Sequence, residues 1–229
     1  MNIQNPNLLE LLFGPDDLDY TTANVQDFIV KPSNLQVTRD FIEKWHYSKN
    51  VNGLTISQIF GLFYEKNLIG AMIYGSLAMA NTWKKYAKEE SKVVELKRLC
   101  CIDKTPKNTE SYFIGKTLRW LKQNTDIEVI VSFADQHYGH SGTIYKASNF
   151  EYLGETGSAR VLMVDGREMH TRSLNQTLRP YGRELKRRYE DGDSNIFFKK
   201  RKPKHIFTYY LDKRIKRQIK KLDFIKKKS

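Results

Sequence analysis

The chain has 229 residues, of which 40% are hydrophobic and 12% aromatic. It is therefore long enough for one domain with a buried core, or for one domain with an appendage. No hydrophobic run approaches the ~20 residues that a transmembrane helix requires. The first residues also lack the basic and apolar regions of a signal peptide. These features predict a cytoplasmic protein that does not enter a membrane.

Positive charge is concentrated at one end of the sequence. The formal net charge is +13, and residues 199–229 contain 14 Lys and Arg against 2 Asp and Glu, a net of +12. Such a segment attracts polyanions, of which nucleic acid is the commonest in the cytosol. A segment that only aids solubility is the alternative. The predicted organisation is a lead-in over residues 1–30, a main domain over 31–198 and a basic nucleic-acid-binding extension over 199–229.

Hydrophobic periodicity predicts the secondary structure in chain order. Helices are expected at residues 38–45, with Thr38 as the N-cap, and at 109–123, 140–148, 183–189 and 212–228. Strands are expected at residues 59–64 and 67–74, joined as a hairpin, and at 93–102, 128–133, 160–164, 167–173 and 206–211. This order predicts an α/β (α+β) architecture, with a mixed sheet flanked by helices.

Two polar clusters mark candidate functional regions. Ser132–His140 carries an aspartate and two histidines directly after an apolar run, and ligands bind at strand ends in sheets of this kind. A second cluster, Trp45–Ser48, follows the first predicted helix. Two such clusters favour an enzyme over a passive binding module. The adjacent Cys100 and Cys101 are expected to be reduced, because neighbouring cysteines very rarely pair.

The ordered motifs resemble the Mom family of phage DNA-modification proteins and, more broadly, the GCN5-related N-acyltransferase fold. The resemblance covers residues 35 to 215, and its segments are Trp45–Ser48, Gly61–Tyr64, Gly70–Gly75, Val94–Leu99, Ser111–Gly115, Ser132–Asp135, Gly139–Tyr145, Asn149–Phe150 and Asp165–Arg167, with His170 and Arg172. It implies an acyltransferase-like catalytic domain in the main part of the chain.

The resemblance also implies an activity. Mom-like proteins convert adenine in double-stranded DNA to N6-(carbamoylmethyl)adenine, which protects phage DNA from host restriction. The fold implies acetyl-CoA or another acyl carrier as donor, and base flipping is expected because adenine N6 is hard to reach inside a duplex. Two alternatives stay open. One is an acyl-CoA-dependent N-acyltransferase acting on tRNA, a protein or a small amine, and the other is a non-catalytic nucleic-acid-binding protein on the same fold.

Acyl-CoA sites of this fold use a splayed strand, a loop and a helix N-terminus that binds pyrophosphate. The matching positions for the acyl arm and the pyrophosphate are Arg98, Leu99, Cys100, Asn108, Ser111, Gly115 and Lys116. The loop has a single glycine where the usual motif is Arg/Gln-x-x-Gly-x-Gly/Ala, so an ordinary capped helix is the alternative. Arg98 is expected to pair with Glu95, Asp135 or substrate, because an unpaired buried charge is costly.

The predicted catalytic residues are His46, Tyr47, Ser132, Asp135 and Tyr145. His46 could act as a general base, since imidazole exchanges protons near neutral pH, and Tyr47 could donate a proton or stack on a base. Asp135 could bind the adenine amino group or orient His46, with a helix N-cap as the alternative. Tyr145 matches a tyrosine that protonates the leaving thiolate in the acyltransferase fold, with core packing as the alternative.

A metal site is a further hypothesis. His46, Asp135 and His140 have the composition of a two-histidine, one-carboxylate site for Fe(II) or another divalent metal. His137 could take the place of His140 in that set.

Contacts to DNA are predicted for basic and aromatic residues, which bind phosphates and stack on bases. This set comprises Tyr64, Arg167, His170, Arg172, Lys204 and Lys213. Tyr47 and Tyr138 join Tyr64 as candidates to sandwich a flipped base.

Overall fold

The computed structural model describes residues 19–212 and 214–217. These residues form two compact units. The large unit comprises residues 19–133, 142–153 and the described residues from 206 onward, and the small unit comprises 134–141 and 154–205. The rest of the expected lead-in, position 213 and the remainder of the expected basic helix over 212–228 lie outside the described residues.

Strands and α-helices organise the described residues of the two units. The strands are β1 Ile29–Pro32, β2 Gln58–Tyr64, β3 Asn67–Gly75, β4 Val93–Cys101, β5 Val129–Asp135, β6 Glu151–Glu155, β7 Ala159–Val164, β8 Arg167–Met169, β9 Ile196–Arg201 and β10 Lys204–Tyr210. The helices are α1 Leu35–Trp45, α2 Thr109–Asn124, α3 Thr143–Ala147 and α4 Pro180–Glu190.

A seven-stranded mixed sheet, ordered β1-β2-β3-β4-β5-β10-β6, forms the framework of the large unit. Strands β1 to β4 pair antiparallel in succession, and β4 pairs parallel with β5. The predicted mixed α/β sheet with flanking helices is confirmed, as is the hairpin of β2 and β3. No helix among the described residues is long and apolar enough to cross a membrane. Both cysteines are free thiols.

Helix α1 covers one part of the core through Phe41 and Ile42, which pack with Leu68 and Ile73. The prediction that Thr38 caps this helix is wrong. The helix begins one turn earlier, where the Asn34 side chain accepts the backbone N–H of Val37 at 3.0 Å. Thr38 is buried inside the helix, and its hydroxyl donates to the Asn34 carbonyl at 2.9 Å.

Helix α2 follows the predicted amphipathic pattern. Its buried face includes Phe113, Ile114 and Leu121. A buried polar contact of this core joins Thr117 to Tyr74 on β3, with 2.8 Å between the two hydroxyl oxygens. That hydrogen bond satisfies both hydroxyls, which would otherwise be costly to bury.

Several expected boundaries change in the structure. Part of the lead-in is ordered, since Tyr20 is buried and β1 begins at Ile29. The helix expected over 140–148 is shorter, because Gly142 adopts the left-handed region with φ of +75° and the helix begins only after it. The strand expected over 167–173 ends at Met169, and a 3-10 turn follows over Thr171–Asn175.

The expected boundary at residue 198 does not coincide with a boundary of the fold. Strand β9, which contains Lys199–Arg201, was not predicted, and β10 lies between β5 and β6 in the main sheet. Phe207 and Thr208 of β10 are fully buried. The first part of the basic segment is therefore structural, whereas its role in nucleic-acid binding stays a prediction.

The small unit has a three-stranded sheet ordered β8-β7-β9. Its own core combines Leu162 and Val164 of β7, Ile196 of β9, Leu185 of α4 and Leu174 of the preceding turn. Charged groups fix the α4 end of this unit: the Arg188 guanidinium donates to both carboxylate oxygens of Asp165, at 2.7 and 3.0 Å, and to Asp193 at 2.8 Å.

Candidate active site

The main sheet opens between its two parallel strands. The register of β4 and β5 runs from Val93↔Val129 to Leu96↔Ser132 and then stops, although β4 continues to Cys101. Residues 97–101 thus have an edge that is not paired with β5. Backbone N–H and C=O groups on such an edge need partners, and an extended ligand can supply them. Strands β4 and β5 thus separate after Leu96 and Ser132, where the splayed strand was expected, and its role in holding an acyl carrier stays a prediction.

A β-bulge lies at the point where the strands separate. Ile73 on β3 pairs with Arg98 on β4, and the next β3 residue, Tyr74, pairs with Leu96. Lys97 is therefore the extra residue on β4. Bulges re-aim side chains and are common beside active sites, so this irregularity changes the direction of Lys97 at the opening.

Glu95 and Lys97 form an ion pair beside the opening. The Lys97 Nζ lies 3.1 Å from the Glu95 Oε2, and the two side chains are only 4% and 16% exposed. Removing each charge from water costs on the order of several kcal/mol, before the attraction between the two ions is counted. From the sequence, Glu95 was expected only as a partner of Arg98, and Lys97 was not expected beside it. Two charges at alternate positions of an apolar strand are the signal that could have revealed the pair.

Tyr145 and Ser132 meet on the α3 side of the opening. The Tyr145 hydroxyl is hydrogen-bonded to Ser132, whose own hydroxyl donates to the Leu96 carbonyl at 3.3 Å. Burial raises the pKa of Tyr145 to about 12, the Ser132 hydrogen bond opposes that rise, and the nearby Tyr47 and Glu95 add to it. Tyr145 is therefore protonated at neutral pH and can donate a proton.

The aromatic ring of Tyr145 also has a packing role. Its centroid lies 5.3 Å from that of Phe207 on β10 and 5.5 Å from that of Phe150. Gly142 precedes α3, and a Cβ atom there would overlap the Phe207 ring. The catalytic and packing alternatives for Tyr145 are thus compatible, because the ring anchors the hydroxyl beside Ser132.

His46 is buried just after α1 and is held by Ser48. The backbone N–H of Ser48 donates to His46 Nδ1 at 3.1 Å, and the Ser48 hydroxyl oxygen lies 2.8 Å from the same nitrogen. An Nδ1 that accepts a backbone N–H places the proton of the neutral ring on Nε2. In this arrangement Nε2 is a donor, and a general-base role needs the contacts with Ser48 to open. Tyr47 is exposed and its ring lies 4.2 Å from that of His46.

The predicted cofactor residues divide into two groups. Ser111 and Gly115 line a groove of about 430 Å³, together with Arg119, Lys122 and Asn149. Arg119 and Lys122 supply the positive charge that fits the phosphates of an acyl carrier. Lys116 instead lies over the Tyr112 ring, with its Nζ 5.1 Å from the ring centroid.

The remaining predicted cofactor positions have internal partners. Cys100 packs against the core around Phe41 and Ile42, and burial raises the pKa of its thiol to about 12. The Arg98 guanidinium donates to the backbone carbonyls of Asn50 and Lys97, at 3.0 and 2.8 Å, so its charge is met by carbonyls in place of the expected carboxylates. Asn108 precedes α2 in the left-handed region and makes no side-chain cap.

The profile of the Mom protein family matches residues 27–228 of the chain. The chain belongs to the Mom protein family. It is 29% identical over 143 residues to the methylcarbamoylase mom of Escherichia phage Mu, an alignment that spans 61% of this chain and 58% of the phage protein.

Solved structures similar to this Mom-family chain are acetyltransferases. Arabidopsis thaliana NAA60 in complex with acetyl-CoA is 14% identical, with 80% of this chain and 98% of that chain covered and a TM-score of 0.45. An N-acetyltransferase from Staphylococcus aureus Mu50 is 11% identical, with 80% and 97% covered and a TM-score of 0.42.

Asp135 of this Mom-family chain belongs to the small unit and faces two cations. Its Oδ2 accepts from Arg201 at 3.0 Å and lies 3.3 Å from Lys204 Nζ, while its Oδ1 accepts the backbone N–H of His137 at 3.0 Å. Asp135 therefore caps the 3-10 turn Gln136–Tyr138, and this N-cap role was the expected alternative to a catalytic role. Its predicted contact with the adenine amino group stays a prediction.

The expected metal site is not supported. Among residues 19–212 and 214–217, no group of three or more His, Cys, Asp and Glu side chains is placed to hold a metal ion. The set His46, Asp135 and His140 is therefore not assembled as a ligand cluster, because the Asp135 carboxylate is occupied by cations. His137 pairs with Glu168 at 3.6 Å.

The predicted DNA contacts have mixed surroundings. Arg167 and Arg172 are exposed, and His170 caps a 3-10 turn by accepting the Arg172 backbone N–H at 3.1 Å. Tyr64 packs edge-on against Tyr20 and Phe28, with ring centroids 5.5 and 5.3 Å away. Lys213 lies outside the described residues, and the role of each in DNA binding stays a prediction.

Proposed function

We propose that this chain is a DNA-modifying transferase that converts adenine to N6-(carbamoylmethyl)adenine, in the cytoplasm of a phage-infected host. Family membership supports the proposal, as does the relative in phage Mu, which is named a methylcarbamoylase. The observation that carries it most directly is the opening between β4 and β5, flanked by the Tyr145–Ser132 hydrogen bond.

The reaction requires two proton transfers, whatever the activated donor. Carbamoylmethylation joins adenine N6 to the CH2 carbon of the added group and breaks one N6–H bond, and the group displaced from that carbon needs a proton. Tyr145 suits the second transfer by its position, because its phenol lies beside the opening and carries its proton at neutral pH. A positioned acid of this kind contributes about 10²–10⁴-fold to a rate.

An acyl carrier fits two features of the large unit. The unpaired edge of β4 over residues 97–101 can accept an extended, amide-containing arm, and the groove lined by Ser111, Gly115, Arg119 and Lys122 can hold its anionic end. A carrier of this kind would supply the activated two-carbon unit, and these residues would bind and orient it; the amide nitrogen of the carbamoylmethyl group requires a separate nitrogen donor of the ammonia or amine class. The single glycine of the loop does not prevent this, because the positive charge of the groove comes from side chains.

Nucleoside mass spectrometry of plasmid DNA from cells that express the chain tests the proposal. We expect carbamoylmethyl-deoxyadenosine with the wild type and its loss with Tyr145→Phe. An unmodified deoxyadenosine pool, with the protein folded and abundant, would redirect the assignment to an acyltransferase that acts on tRNA or a small amine.

A further inference from the structure

The sheet of the small unit has one covered face and one open face. Leu162 of β7 pairs with Phe198 of β9, and this face packs on the core formed with α4 and the preceding turn. The neighbouring pair, Met163 and Phe197, points to the opposite face by the alternation of strands. We call this second surface the open face, defined by Val161, Met163, Phe197, Lys199 and Arg201.

Aromatic side chains are exposed on and beside the open face. Phe197 is 50% exposed, although its neighbour Phe198 packs inward against Tyr189 with 5.8 Å between ring centroids. The Arg201 guanidinium lies 5.5 Å from the ring centroid of Tyr138, a side chain that is 47% exposed. The exposed ring of Phe197 thus lies on this face and that of Tyr138 lies beside it, where Arg201 is ion-paired with Asp135.

Uncompensated positive charge lies on the same strand. Residues 134–141 and 154–205 contain 13 Lys and Arg and 8 Asp and Glu, a net of +5. On α4 three of the four basic side chains are ion-paired, as in the contacts of Arg187 with Glu184 and Asp191. The fourth, Arg183, donates to the Thr177 carbonyl. Lys199, Lys200 and Lys202, in contrast, make no ion pair with another residue of the described ranges. Part of the excess charge of this unit therefore lies on and just after β9, and the rest lies on arginines between residues 160 and 183.

We propose that the open face binds unpaired nucleotides of DNA, with a base stacked on Phe197 and a phosphate held by Lys199 on the same face. An exposed ring on a flat sheet recognises the face of a base, which is accessible in a single strand and hidden in a duplex. A protein partner fits less well, because lysine is depleted at the centre of protein interfaces. The inference rests on the proposed function, since an enzyme that acts on adenine N6 must take the base out of the stack.

The test measures binding of the full chain to a fluorescein-labelled oligodeoxythymidylate, which contains no target adenine, by fluorescence anisotropy. Four variants separate stacking from hydrophobic area: Phe197→Ala, Phe197→Leu, Phe197→Tyr and the control Leu178→Ala, whose side chain is 95% exposed in the same unit. We expect Ala and Leu at position 197 to weaken binding by about 5- to 100-fold. Tyr at position 197 and Ala at position 178 should bind like the wild type.

Two results would overturn the inference. If Phe197→Leu binds the oligonucleotide as tightly as the wild type, no base stacks on Phe197. A wild-type dimer that becomes monomeric with Phe197→Ala in sedimentation would assign the open face to self-association. Both readouts are independent of adenine modification. Binding that depends on Phe197, in a protein that leaves adenine unmodified, would refute only the proposed function. Modified adenine, together with normal oligonucleotide binding by Phe197→Leu, would refute only the proposed binding role of the open face.

Discussion

Removal of a single hydroxyl, in Tyr145→Phe, separates the catalytic role of Tyr145 from its packing role. The phenylalanine keeps the ring contacts with Phe150 and Phe207, at centroid distances of 5.5 and 5.3 Å, and loses only the hydrogen bond to Ser132. Ser132 retains its bond to the Leu96 carbonyl. The free energy of unfolding should therefore fall by only about 1 kcal/mol.

The expected loss of activity is much larger than this loss of stability. Without the proton donor, the rate of adenine modification should fall about 10²–10⁴-fold, whereas urea denaturation should show a folded protein. Tyr74→Phe is the matched control, because it also removes one buried tyrosine hydroxyl of the same unit. That hydroxyl oxygen lies 2.8 Å from the hydroxyl oxygen of Thr117, to which it is hydrogen-bonded. The control variant should lose similar stability and keep most of the activity.

Tyr145→Phe should also change how the free energy of unfolding depends on pH in the alkaline range. The pKa of Tyr145 is raised to about 12 from its ordinary value of 10.0, so the folded state holds this proton more tightly than the unfolded state. The associated stability is present in full below about pH 10 and is lost as the pH rises towards 12. Tyr145→Phe should flatten the alkaline decline in unfolding free energy. Activity within two-fold of the wild type, or an unchanged alkaline slope, would refute this account of Tyr145.

Three further predictions concern other parts of the large unit. Lys97→Met leaves the Glu95 carboxylate buried without its cation. Urea denaturation should show an unfolding free energy lower by about 3–5 kcal/mol. Adding Glu95→Gln to this variant should recover much of the loss. Arg119→Glu should weaken binding of acetyl-CoA in isothermal titration calorimetry, and equal affinity in both proteins would exclude the groove as its site. Asn34→Ala removes the observed α1 cap and should cost about 1 kcal/mol, more than Thr38→Ser does; the reverse order would contradict the assigned cap.

Periodic segments with a buried face could be predicted from the sequence. The hairpin of β2 and β3 and the amphipathic helix α2 have strong apolar patterns, because tertiary packing and local preference agree there. Strand β9 escaped prediction because Phe197–Arg201 gives it one half-exposed aromatic residue and three cations, a pattern typical of an exposed strand. Strand β10 was predicted, yet its place inside the main sheet was hidden by the basic residues around it.

The candidate site depended more on tertiary structure. Ser132 and Tyr145 were expected at the same edge, and the structure joins them by a hydrogen bond. Composition alone suggested a metal site at Asp135, but the side chains that face its carboxylate, Arg201 and Lys204, are 66 and 69 residues further along the chain. The bulge at Lys97 depends on the register of β3 and β4, which no local pattern specifies.

The most direct test of the central claim is mass spectrometry of deoxynucleosides from DNA that the purified chain has treated with a bacterial extract as the donor source. The account predicts deoxyadenosine carrying a carbamoylmethyl group on N6, with none above background for Tyr145→Phe and near-normal amounts for Tyr74→Phe. Deoxyadenosine that stays unmodified with the folded wild-type chain, or equal modification by Tyr145→Phe, would contradict a transferase site at the opening between β4 and β5.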